Sequence, residues 1–533
     1  MICKLTAVLS RIVHRLGRWR LIFLFFLIAY TALLLLYLDY AAIQWDETPH
    51  LVGGLLLSRG QLQEYTQKYL FYPPLFDATT ALYYIFLGAS VLSVRLVSLT
   101  FGILSVWVVF EYAYRLYGPK TALLSSILLA SMPGFIILCR VALIETMLMF
   151  FFSISLFLFY SWMRSNNNKL LLLSGVTMGL GFIAKYQVLV GGIVMLVSMF
   201  LMWRERILTK IGKLLLIAII AVAVILPWFF LMYHQSASET LGDWFYAIQV
   251  GNEERTAYSR RFFLPIFYLI EMTYPYSHIH PISLPLYTLG LFGLGFMLWR
   301  RRSEDKFALI WFFVVYGVFT LIPNKGWRYV TPLFPILAIS ASEFILFMQD
   351  KIKDGLRASK TSLRRTSIPK IAAIIFVLLM GTLLVYSWRD AYSWVEVEHV
   401  HIPIKEASQY VSENSASNEA TVVLFTGNFF STDMVNFYMN IHESGERELW
   451  PYPEKAADAY RPELNETWLI ERCEASNVKY LLLYEHGDIN YFDSDWKSYY
   501  VLDRLVLSGR FIFETAFGDY PRRISIIRFM PNS

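Results

Sequence analysis

Apolar positions in this chain do not recur as the stripe of a helix that wets one face. They come in unbroken runs separated by short polar connections. Runs near the roughly 20 residues needed to cross a bilayer predict about eleven membrane-spanning helices. They fall at 21–38, 94–115, 121–138, 146–163, 170–183, 188–203, 214–232, 284–299, 307–322, 330–348 and 371–388. A further run, 75–88, is short, follows Pro73-Pro74 and contains Asp77, which predicts an interfacial helix and not a crossing. After residue 389 the runs shorten to strand length, at 420–425, 478–484, 510–513 and 523–529, with helix-like stretches at 403–412 and 432–440.

The placement of lysine and arginine orients these spans. The connections 115–120, 164–169, 204–213, 300–306 and 351–365 are basic, as is the N-terminus, which assigns that side to the cytoplasm. The other side receives 39–93, 139–145, 184–187, 234–283, 323–329 and everything after Arg389, so the chain reads as N-in/C-out. Counting 75–88 as a crossing would invert every later loop. The first run resembles a signal peptide, but no small-residue cleavage site follows Leu38, so it reads as an uncleaved span. The expected organisation is a transmembrane domain, 1–389, with outer loops 39–93 and 234–283, followed by an extracytoplasmic α/β domain, 390–533, long enough for its own core.

Composition fits a polytopic α-helical membrane protein: 56% of residues are hydrophobic, 17% aromatic and 17% charged. The formal net charge of +6 lies in the loop clusters, which gives nucleic-acid binding little support. Cys3, Cys139 and Cys473 are too scattered for a disulfide framework or a zinc site. No Gly-rich phosphate loop occurs. The polar residues of chemical interest all fall on the predicted outer face. Asp46-Glu47 stands just beyond the first span, where a base could meet a lipid-borne substrate. Glu145, Lys185, Arg255, Arg260, Arg261, His278, His280, Lys325 and Arg328 come from other outer loops.

Five segments in order carry a family resemblance. They are Trp45-Asp46-Glu47, Tyr72-Pro73-Pro74-Leu75, the run from Arg140 to Glu145, the run from Gly179 to Tyr186, and the run from Lys325 to Pro335 with its Lys-x-x-Arg-Tyr core ending at Tyr329. This set resembles the GT-C glycosyltransferases that use polyprenyl phosphate sugars, above all the branch of protein O-mannosyltransferases and lipid A aminoarabinose transferases. Two segments depart from it: Glu145 stands where the family usually has Asp, and Phe71-Tyr72 where the aminoarabinose transferases have Glu-Lys. The resemblance implies an inverting glycosyltransferase in the cell membrane that moves a hexosyl or pentosyl group from a dolichyl or undecaprenyl phosphate to a hydroxyl of a protein, lipid or glycan.

In that chemistry an acceptor hydroxyl needs a base, and Asp46 in a partly desolvated cleft is the candidate, with Glu47 holding hydroxyls and Glu145 as a second acidic residue. The leaving phosphate gains charge, which calls for cations: Lys185 and Arg328 first, then Arg255, Arg260, Arg261 and Lys325, with Tyr72 and Tyr329 beside the substrate. Plainer alternatives stand next to each. The acids are solvated loop residues, Lys185 snorkels to headgroups, and the 255–261 arginines touch anionic lipid. His278 and His280, with Glu271 nearby, are the candidate ligands should a divalent metal ion be needed; their i, i+2 spacing suits structural or substrate hydrogen bonding better than zinc. Two other classes remain open: a lipid-linked saccharide flippase or transporter, and a non-catalytic membrane scaffold.

Overall fold

The computed structural model describes residues 17–69, 73–203, 207–249, 264–273, 280–358, 368–398, 401–424, 430–441, 447–452, 464–486, 498–520 and 522–531. Each of the predicted runs up to residue 388 coincides with helix. Among the described residues, five helical segments are long and apolar enough to cross a membrane on those grounds alone: Arg18–Leu35, Val91–Leu116, Glu145–Ser165, Lys210–His234 and Trp327–Asp354. The run predicted as one straight span at 121–138 is instead two helices, Pro119–Ala130 and Pro133–Arg140, bent by 67°. Pro133 explains the break, because it has no N–H to continue the first helix and is suited to begin the second. Asn168–Ala184 and Leu284–Arg300 are 17 residues each and Leu189–Met202 is 14, while Ser303–Leu321 opens on Glu304, Asp305 and Lys306. The short run at 75–88 is the helix Leu75–Leu87, closed by Gly88 at φ 85°, a left-handed cap that glycine adopts without strain.

The chain divides into two compact units, the first comprising Met1–Leu36, Gln61–Thr79 and Arg95–Val395, the second Tyr37–Gly60, Thr80–Val94 and Glu396–Ser533. In the first, small residues set the close helix approaches. Gly175 and Gly179, one turn apart on Asn168–Ala184, leave room for the backbone at Ile217 and Ala221 of Ile207–Gln249. Gly290 and Gly293 do the same for Leu284–Arg300 against Phe334–Ala358, where Ser340 Oγ donates to the Gly290 carbonyl at 2.9 Å. Side chains such as Phe25, Leu215, Ile219, Val377 and Leu379 are exposed, as lipid-facing positions should be.

Polar groups gather at opposite ends of this bundle. At one end Arg20 and Arg115 hold Glu111, and Arg300 donates to Asp305 at 2.7 and 2.8 Å and to Glu343 at 2.5 Å, with Thr121 on the other Glu343 oxygen. These residues border the predicted basic loops. At the other end lie Arg140, which donates to the Leu34 carbonyl at 2.7 Å, and the ion pair of Glu145 and Lys185.

The second unit holds a five-stranded sheet in the order β2-β1-β3-β5-β4. The strands are β1 (Ala420–Leu424), β2 (Leu449–Tyr452), β3 (Val478–His486), β4 (Phe511–Phe517) and β5 (Arg522–Phe529). β1 pairs parallel with β2 and β3, and β5 pairs antiparallel with β3 and β4. β2 escaped the sequence reading because it is four residues long and contains Pro451, which only an edge strand tolerates. The helix Glu466–Ala475 escaped because only Leu469 and Cys473, one turn apart, are buried; Asn465 of the Asn-Glu-Thr sequon caps it, accepting from Trp468 N at 3.1 Å. Part of the first predicted loop belongs to this unit. Thr48–Ser58 packs on Thr432–Asn440, Tyr84 lies against Phe437, and Arg59 donates to the Asn440 carbonyl.

Candidate functional site

Glu145 opens the helix Glu145–Ser165 and is buried, its backbone delivered by the turn that follows Arg140. Lys185 is the extended C-cap of Asn168–Ala184. The two helix ends meet, and Lys185 Nζ donates to Glu145 Oε1 at 3.0 Å with 11% and 4% of the respective side chains exposed. Lys185 therefore points into the protein and not toward headgroups. Its ammonium lies 5.9 Å from the centre of the Tyr329 ring. Arg328 is half-buried in the 3-10 helix Trp327–Leu333, and its charge also acts on Glu145. Tyr329 is fixed from behind, its hydroxyl accepting from Asn324 Nδ2 at 3.0 Å. Trp327, stacked on Phe334, anchors the turn against Gly134, where a side chain would collide with the indole.

Lys325 was expected beside these cations and does different work. Its ammonium donates to the carbonyls of Phe319, at 2.9 Å, and Thr320, closing the C-terminus of Ser303–Leu321, where exposed carbonyls and the helix dipole attract a cation. Burial pushes its pKa down to about 8. It acts here as the cap of that helix.

Asp46 and Glu47 lie in the second unit, in the 3-10 turn Trp45–Glu47. The adjacent carboxylates part company. Glu47 is buried and accepts from Gln44 N at 2.9 Å, a reciprocal cap that fixes the turn, whereas Asp46 is exposed. The desolvation expected at Asp46 is thus not found, and the group that was expected to hold hydroxyls is occupied in holding the backbone.

Asp77 is likewise not a surface charge; it is buried and accepts from the Tyr65 hydroxyl at 2.9 Å. His280 bonds through Nδ1 to the Thr273 carbonyl, and among the described residues no three His, Cys, Asp or Glu side chains gather to hold a metal ion. Tyr72, Arg255, Arg260, Arg261 and His278 lie outside the described residues. The sequence reading passed over Arg95 and Arg140 as site residues, although Arg95 is fully buried near the start of Val91–Leu116 and lies close enough to Arg140 for their charges to interact. A charge at the end of an apolar run was the signal available for both.

Comparison with known proteins gives this arrangement a frame. Residues 72–230 match the family model of dolichyl-phosphate-mannose-protein mannosyltransferases. An uncharacterized protein of Aquifex aeolicus is 25% identical over 279 residues, 51% of this chain and 52% of its own, so the chain spans about half the length of the curated relative it matches. Among solved structures, ArnT from Cupriavidus metallidurans superposes with a TM-score of 0.63 at 14% identity, covering 95% of this chain and 97% of ArnT in the apo state. ArnT bound to undecaprenyl phosphate gives the same score, with 98% of that chain covered. The archaeal oligosaccharyltransferase AglB from Archaeoglobus fulgidus, in complex with an inhibitory peptide and a dolichol-phosphate, superposes with a TM-score of 0.52 at 13% identity, covering 94% and 73%. The chain thus shares the fold of ArnT along nearly its whole length and carries within it the segment that matches the dolichyl-phosphate-mannose-protein mannosyltransferase model.

Proposed function

We propose that the protein moves a sugar from a polyprenyl phosphate to a hydroxyl of a protein, lipid or glycan acceptor, with inversion at the anomeric carbon, on the extracytoplasmic face of the membrane. The observation that carries this reading is the buried Glu145–Lys185 pair beside Arg328 and Tyr329, at the end of the bundle opposite the basic loops. Two solved relatives of the fold hold undecaprenyl phosphate and dolichol-phosphate, which supports a lipid of that class as donor. The alternation of basic loops supports the face.

The acceptor oxygen bonds to the anomeric carbon, the bond from that carbon to the phosphate oxygen breaks, and its electron pair leaves with the lipid phosphate. Asp46 takes the acceptor's proton, a role open to a carboxylate that solvent and acceptor can reach; general-base catalysis of this kind is worth about 10²–10⁴ in rate. Lys185 and Arg328 meet the charge that grows on the departing phosphate, so they act more strongly on the transition state than on the bound donor. Glu47 keeps the turn that presents Asp46.

The test is transfer by purified protein in lipid nanodiscs, offered a panel of labelled polyprenyl phosphate sugars and a membrane and protein extract. Wild type should consume at least one donor, and Asp46→Asn, equally well folded, should lose about two orders of magnitude or more in rate. If no donor is consumed the reading fails; if Asp46→Asn transfers as fast as wild type, Asp46 is not the base. Addition of a chelator to the same assay decides whether a divalent ion takes part.

A further inference from the structure

The buried pair of the first unit is under-satisfied on both sides in a matched way. A lysine ammonium has three N–H donors, and among the described residues Lys185 donates one, to Glu145 Oε1. Glu145 Oε2 is buried and, among the described residues, has no hydrogen-bond partner. Buried charges offset their desolvation only when their remaining donors and acceptors are met, so an ion pair left in this condition is a poor device for stability alone. Spare donors on the cation and a spare acceptor on the anion lie side by side. One group that satisfies both is an anionic oxygen joined, two or three bonds away, to a carbon bearing a neighbouring hydroxyl. The junction of a glycosyl phosphate has that pattern, and the nearby Arg328 charge suits its anionic half.

Resting on the functional reading above, we propose that Glu145 and Lys185 form a two-pronged reader of the donor's glycosyl phosphate. Lys185 donates to a phosphate oxygen, and Glu145 Oε2 accepts from the sugar hydroxyl next to the anomeric carbon. The bond between the two side chains holds both prongs in position before the donor enters. Two consequences separate this from a pair that merely ties two helix ends. The sugar-free lipid left after transfer uses one prong only, and Glu145 then competes with the phosphate for the ammonium, which favours product release. Glu145 is thus a positioning and specificity residue, acting on the donor sugar directly and on the phosphate through Lys185.

The experiment measures binding of undecaprenyl phosphate to the full-length protein in nanodiscs, together with KM for whichever sugar-bearing donor wild type consumes. Glu145→Gln frees Lys185 and weakens the sugar prong, so the sugar-free lipid should bind about tenfold tighter while KM for the donor rises about tenfold, magnitudes expected for one charge-assisted hydrogen bond. Lys185→Met should weaken binding of undecaprenyl phosphate about tenfold, and adding Glu145→Gln to it should restore no tightness. Glu145→Asp keeps the charge and shortens the reach; it should leave undecaprenyl phosphate binding within about twofold and raise KM, and it serves if Glu145→Gln does not fold. Opposite movements of the two readouts support the proposal. Movement of both in one direction in Glu145→Gln, or unchanged lipid binding in Lys185→Met, overturns it. Failure of wild type to bind either undecaprenyl phosphate or dolichyl phosphate would instead defeat the functional reading itself.

Discussion

Replacing Gly293 with alanine tests whether the close packing of Leu284–Arg300 on Phe334–Ala358 holds the site in place. A Cβ at Gly293 would lie 2.1 Å from the Ser340 carbonyl oxygen, 2.2 Å from its carbon and 2.9 Å from Ala341 N. All three are backbone atoms, so no rotamer change relieves the clash, and the helices must part by more than about 1 Å to restore contacts near 3.5 Å. Overpacking of this kind costs about 1–3 kcal/mol. Parting also stretches the hydrogen bond from Ser340 Oγ to the Gly290 carbonyl, worth about 1 kcal/mol more. The expected loss is therefore about 2–4 kcal/mol, read as a lowered apparent melting temperature of the purified protein. Because Phe334–Ala358 continues directly from the turn that carries Arg328 and Tyr329, transfer activity should fall as well. The control is two residues away: a Cβ at Gly295 meets nothing within 4 Å, so Gly295→Ala should be neutral, or stabilising by up to about 1 kcal/mol through helix propensity. Equal melting temperatures for the two variants would refute the packing argument.

Two further outcomes follow from the charges. Lys325 titrates near 8 in the folded protein against an ordinary value of 10.5, so between those values the unfolded chain binds a proton that the folded one does not, and its contribution to stability rises with pH across that window. Thermal unfolding from pH 7.5 to 10.5 should show that rise in wild type and a flatter profile in Lys325→Met; identical profiles would remove Lys325 as its source. Arg300→Met leaves Asp305 and Glu343 buried without their cation, at a cost of about 3–5 kcal/mol, whereas neutralising both acids in the same variant should recover most of it, as unfolding of the single and triple variants would show.

Lys185, Lys325 and Arg328 show how far the sequence reaches. All three are basic residues at the ends of apolar runs, and no local pattern distinguishes them. Lys325 finds its partners five and six residues back, on the helix it closes, while Lys185 finds Glu145 forty residues away, across two helix ends. Asp46 and Glu47 are adjacent in the chain, yet the turn exposes one and spends the other on a backbone amide.

The apolar runs, the basic loops and the shift to strand-length segments after residue 389 determined a polytopic helical protein with an α/β tail, because burial in lipid demands long apolar helices and leaves that demand visible in one dimension. The pairing of the edge strand with Pro451, the glycine contacts between helices and the division of charges between site and caps were decided by tertiary structure. Each depends on which distant backbone or side chain arrives at a given point, and hydrophobic period carries no record of that.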